Sequence, residues 1–126
     1  MDTEPLTDPD EALLEHATET CTASFDPEFF DGVSLPASVG RASVCAEPVA
    51  VGSAIAAGMS HADLESCVAA AYPMESHDAD SVRVIPPCGT CRELLADYRE
   101  DMRVVVPVDG GNRVARAIDL LPTRTW

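Results

Sequence analysis

The chain has 126 residues, 46% of them apolar, and carries 22 acidic side chains against 8 basic ones, for a net charge of −14. That length suits one domain able to bury a core without staples, and the apolar content is too high for the disorder that strong charge otherwise signals. So acidic a chain repels phosphate backbones, which argues against nucleic-acid binding, and no apolar run is long enough to span a membrane.

The eight basic residues are all Arg, with no Lys. The acidic excess reads as that of a folded, halophilic protein from a high-salt cytoplasm, where ions screen a dense negative surface. The N-terminal stretch MDTEPLTDPDEALLEH lacks the basic and apolar regions of a signal peptide, so the expected location is cytoplasmic. A single domain over 1–126 is expected, with residues 1–8 as a flexible acidic N-terminus.

Thr7-Asp8-Pro9-Asp10 reads as a helix start, with a capping residue and a Pro in the first turn. A helix over about 9–21 follows, with Leu13, Leu14 and Ala17 as its apolar stripe. Residues 22–32 are turn-rich, with Phe25, Phe29 and Phe30 expected as buried anchors. Gly32 to Leu35 suits a short strand ended by Pro36. In CAEPVAVGSAIAAG, residues 45–58, Pro48 is tolerable only in a first turn, so a helix begins at Ala46 or Glu47 and ends at Gly58.

SCVAAAY, residues 66–72, and RVVVPV, residues 103–108, read as buried strands. VRVI, residues 82–85, is a short strand leading into Pro86-Pro87, and Gly89 to Arg99 a helix. Asp109-Gly110-Gly111-Asn112 is a turn, RVARA an edge strand and IDLLP a last helical turn. Helices alternating with short apolar strands imply a three-layer α/β domain.

Five cysteines without an export signal argue for metal binding or catalysis rather than a disulfide framework. Cys45 precedes one expected helix, and Cys88 and Cys91 open another, where backbone N–H groups favour a thiolate. Three thiolates with one open position is the layout of a catalytic zinc site. Glu47, two residues after Cys45, stands where a carboxylate serves as proton carrier beside the metal. Cys88 and Cys91 alone would also suit a thiol redox pair or a structural zinc site. Redox leaves Cys45-Ala46-Glu47 unexplained. Cys67 reads as a small core residue, Cys21 has no evident partner, and His16, His61 and His77 have no ligand spacing.

A ligand-x-Glu followed by Pro-Cys-x-x-Cys is the zinc deaminase signature, here in a three-cysteine form. On Cys45-Ala46-Glu47 and Pro87-Cys88-Gly89-Thr90-Cys91-Arg92, the chain resembles the cytidine deaminase superfamily. AVGSAIAAG and AIDLLPTRTW look most like its blasticidin S deaminase-like members. The likeness covers roughly residues 32–126. It implies a cytidine deaminase-like α/β/α fold with a mixed sheet of about five strands. It also implies a zinc ion, an aminopyrimidine-like small-molecule substrate and a homo-oligomer, usually a tetramer.

Carried over by position, the resemblance makes Cys45, Cys88 and Cys91 the zinc ligands and Glu47 the proton shuttle. It implies zinc-bound hydroxide attacking the amine-bearing carbon of a cytosine-like nucleoside or a related small aminated heterocycle. Ser34, backbone groups around Ala46 and Pro87, and Trp126 would touch the substrate. The family's Asn-x-Glu, which grips ribose, falls here on Ser34 and Pro36, so ribose recognition is expected to be weak. Pro48 stands where an Arg usually follows the Glu, leaving Arg92 to balance charge near the zinc. The stretch CTASFDPEFFDG looks too short for the family's N-terminal hairpin, which is expected to be shortened. The competing reading is a non-catalytic zinc-stabilised scaffold or binding protein of the same fold.

Overall fold

Strand β3, Ser66–Ala71, is apolar along nearly its whole length because both of its faces are covered. Its side chains alternate between two cores. Cys67 and Ala69 face one and Val68 and Ala70 the other. The computed structural model that shows this describes residues 1–20, 22–25, 29–40, 43–71, 81–121 and 123.

Around β3 lies a six-stranded mixed sheet, one strand more than expected. It is built from β1 (Ala23–Phe25), β2 (Phe30–Gly32), β3, β4 (Arg83–Val84), β5 (Arg103–Val108) and β6 (Gly111–Arg116). The order is β2-β1-β3-β5-β6, with β4 pairing the end of β3. Among the described residues only β3 and β5 run parallel; the remaining pairs are antiparallel. Helix α1, Asp8–Thr20, covers one face through Leu13 and Ala17, packed with Val68, Val105 and Val114. The opposite face is covered by α2 (Ala46–Ala56) and α3 (Gly89–Tyr98), with Ala50, Ala54 and Leu95 against Ala69, Val104 and Val106. The result is the expected three-layer α/β/α arrangement.

The 22–32 stretch holds the expected shortened hairpin, with three residues in each strand and Phe25 opposite Phe30. Turn residues did not exclude strands there, because a neighbour supplies the pairing: β1 also bonds along β3. The short hairpin is further tied to α1, since His16 Nε2 lies 2.9 Å from Asp31, whose Oδ1 accepts from Ser24 Oγ at 2.6 Å. Two expectations change. Phe29 is no buried anchor; it is exposed, has φ 53°, and stacks on the His16 ring at 4.6 Å. Secondly, the expected strand Gly32 to Leu35 ends at Gly32. Beyond it, Leu35 makes an isolated antiparallel bridge to Val44.

Gly32 sits where α2 crosses the sheet. A Cβ there would stand 2.3 Å from the Ala50 nitrogen and 2.5 Å from the Ala46 oxygen. Only glycine lets β2 and α2 approach so closely. The N-terminal segment lies along the sheet's other edge, where Glu4 exchanges two backbone bonds with Val114 at 2.8 and 2.9 Å. Asp10, 1% exposed, accepts from the Thr7 amide and hydroxyl at the start of α1 and pairs with Arg103 of β5 at 2.6 Å. That pair staples the first helix to the sheet.

Candidate metal and active site

Two helices open onto the same end of the sheet, and each begins at a cysteine. Cys45 is the residue before α2 and Cys88 the residue before α3. Neither helix has the Ser, Thr, Asp or Asn that usually caps a first turn, a choice costing about 1 kcal/mol per helix.

The thiols converge. Cys45 Sγ lies 3.5 Å from Cys88 Sγ, and the sulfurs of Cys45, Cys88 and Cys91 all lie within 4.8 Å of one another. Sulfurs at about 2.3 Å from a tetrahedral zinc ion stand about 3.8 Å apart, so the three residues fit such an ion with little movement. Cys91, on the third residue of α3, is fully buried, Cys45 half-buried and Cys88 exposed. The cluster therefore has a closed floor and an open mouth.

Three adjacent thiols without a cation cannot all ionise. Burial first, and then the Glu47 carboxylate beside it, pushes the Cys91 thiol far up. Hydrogen bonding with Cys88, followed by burial, also raises Cys45. Cys88 moves the other way: burial raises it, but the Cys91 and Thr90 amides and both neighbouring thiols hold it below the ordinary value. A metal cation among them would let all three ionise.

Glu47, on the second residue of α2, is only 5% exposed. Its carboxylate is near enough to raise the Cys91 thiol. Its burial places this carboxylate beside the three thiols rather than on the solvated surface. Cys67, at 2% exposure, belongs to the main core as expected, beneath the site; burial and Glu47's charge raise its thiol.

The remaining expected residues are divided. The Leu35–Val44 bridge carries Ser34 beside the residue that precedes Cys45, and Ser34 Oγ donates to the Val44 carbonyl at 3.4 Å. Ala46 is half-buried in the first turn of α2, and Pro87 is buried next to Cys88. Arg92 is half-buried; its Nε donates to the Pro87 carbonyl at 2.8 Å. Sequence reasoning had no signal for this contact, because it depends on how the side chain folds back along α3. Trp126, Cys21 and His77 lie outside the described residues.

No family model matches the chain. Among characterised proteins it is 32% identical to the blasticidin-S deaminase of Bacillus cereus, across 98% of this chain and 97% of that protein. Among solved structures it is similar to a cytidine deaminase from Burkholderia pseudomallei, with TM-score 0.69 and 25% identity over 95% of this chain and 100% of the other. A cytidine deaminase from Bacillus anthracis shares the fold at TM-score 0.73, with 14% identity over 90% of this chain and 87% of that one.

Proposed function

Because the chain belongs to the cytidine deaminase-like superfamily, we propose that it is a zinc-dependent hydrolytic deaminase of a cytosine-like nucleoside or a related small aminated heterocycle. The observation that carries this is the convergence of three sulfurs with a buried carboxylate beside them. A structural zinc site has no use for that carboxylate.

Cys45, Cys88 and Cys91 would hold the ion, leaving a fourth position open towards solvent. Bound there, zinc would supply Lewis acidity that lowers the pKa of water towards about 7. The chain's own residues do the rest. Glu47 takes a proton from the attacking water, whose oxygen bonds to the amine-bearing carbon. It gives that proton to the ring nitrogen, then carries the remaining hydroxyl proton of the former water to the leaving amine. Ammonia departs, and a carbonyl replaces the amine. Backbone groups at Ala46 and Pro87 would hold the edge of the ring, with Ser34 and Trp126 as further contacts.

Ser34 and Pro36 favour a substrate bound without a carboxylate grip on ribose, since Pro36 has no side-chain acceptor. The Bacillus cereus relative makes blasticidin-like compounds the first to test beside cytidine. The acidic surface suits a high-salt cytoplasm. Exposed Val33, Leu35, Val39 and Ile55 support self-association into a homo-oligomer, to be read by light scattering in high salt.

The test is ammonia release from a panel of aminopyrimidines in high salt, with zinc content measured alongside, for wild type and Glu47→Ala. Wild type is expected to release ammonia and E47A to lose about 100-fold or more of that rate while retaining zinc. Zinc bound by a wild type that deaminates nothing in the panel would leave the scaffold reading in its place.

A further inference from the structure

We propose that Arg92 is a positioning residue of the metal site, acting by hydrogen bonding to the Pro87 carbonyl rather than by its charge; the proposal rests on the zinc-deaminase reading above. The loop from β4 to α3 runs Ile85-Pro86-Pro87-Cys88. Its last amide tied to the sheet is that of Ile85, which donates to the Ala69 oxygen at 3.0 Å. Neither proline has an N–H to donate. The two residues before Cys88 therefore cannot be anchored through backbone donors at all.

Arg92 supplies the missing tie from the other side. Its Nε donates to the Pro87 oxygen at 2.8 Å, and no other described residue donates to that oxygen. Its own amide bonds the Cys88 carbonyl at 2.8 Å. One residue thus grips the peptides on both sides of Cys88. The Pro87–Cys88 peptide is planar, so holding its oxygen sets the direction in which the Cys88 Cα and Cβ leave it. Cys88 is the most exposed of the three thiols and has the least packing of its own to place it. Residues that orient metal ligands in this way commonly control metal affinity.

Side-chain geometry separates the hydrogen bond from the charge. The amide nitrogen of glutamine is as many bonds from Cα as the Nε of arginine, so Arg92→Gln keeps a donor at that place and removes the charge. Lysine puts a methylene there and its ammonium one bond further, so Arg92→Lys keeps the charge and removes the donor. Arg92→Met removes both at similar length.

The experiment measures zinc affinity of the full chain by competition with a chromophoric chelator, for wild type and the three variants. The absorption spectra of the cobalt(II)-loaded proteins report ligand geometry, and melting of the metal-free proteins shows that each variant folds. R92Q is expected within about 3-fold of wild type with the same cobalt bands, and R92K and R92M about 10- to 100-fold weaker with shifted bands. The proposal is overturned if R92K matches wild type while R92Q loses affinity, or if all three match wild type. A wild type that binds neither ion overturns it together with the metal site. A wild type that binds zinc but releases no ammonia removes the deaminase reading alone, since the variant series still decides what Arg92 does.

Discussion

Gly32→Ala should disturb the fold and the site together. The added Cβ would meet the Ala50 nitrogen at 2.3 Å, the Ala46 oxygen at 2.5 Å and the Ala50 Cα at 2.9 Å. Carbon atoms pack at about 3.5 Å or more, so α2 and β2 must separate by about 1 Å. Overpacking costs about 1–3 kcal/mol, and the upper half of that range applies because the obstacles are helix backbone, with no flexible side chain to give way. With a urea m-value of about 1–3 kcal/mol/M, the unfolding midpoint should fall by roughly 1 M. The first turn of α2, which holds Ala46, also carries Glu47 and follows directly on Cys45. A displacement of about 1 Å there should cost on the order of 100-fold in ammonia release. Gly52, in the same helix, has nothing within 4 Å of an added Cβ. Gly52→Ala should therefore stabilise, by about 0.5–1 kcal/mol. Urea titrations at fixed salt and rates on a common substrate measure both variants. An unfolding free energy for G32A within about 0.5 kcal/mol of wild type, with an unchanged rate, would refute the close-approach argument.

Burial alone would raise the Asp10 carboxyl, but Arg103 and the Thr7 amide and hydroxyl outweigh it and hold it below the usual carboxylate value. A depressed folded pKa means stability present above the unfolded value of about 3.9 and lost as pH falls through the folded one. Asp10→Asn should cost about 2–4 kcal/mol at pH 7, tempered because Arg103 is partly exposed and also pairs with Glu4. Urea midpoints across the acid range should show that deficit shrinking below about pH 4, and a gap independent of pH would count against the pair. Cys67 and Cys91 are equally buried, so burial cannot tell them apart. Cys67→Ala should keep its full zinc content and lose about 1 kcal/mol of stability, whereas Cys91→Ala should lose the metal. Zinc lost from C67A would show the ligand set to be wrong.

Much of the fold was legible because its signals are local. Thr7 with Asp10 marks the start of α1, Pro48 limits where α2 begins, and Gly58 at φ 96° ends it. The apolar runs at β3 and β5 could be read as buried because few sequences are apolar on both faces without being covered on both. The hairpin was legible only through the family resemblance, which implied a shortened one. Its three-residue strands carry too little pattern to stand alone, and they exist because β3 offers an edge and Asp31 ties them to α1. Phe29 looked like core by hydropathy, yet its left-handed turn directs it onto His16 at the surface.

The candidate site divides along the same line. Cys45-x-Glu47 and Pro87-Cys88-x-x-Cys91 are short spacings, so the sequence by itself determined which thiols and carboxylate are offered to a metal and a proton. Distance was decided only by the tertiary structure. Two helix starts far apart in the chain reach 3.5 Å between sulfurs because α2 and α3 pack side by side on one sheet. The burial of Glu47, the opening left above Cys88 and the Arg92 grip on Pro87 were likewise decided there. None of these is a property of neighbouring residues. Each arises where separate segments exclude water from one another, and that is the physical reason a linear pattern does not contain them.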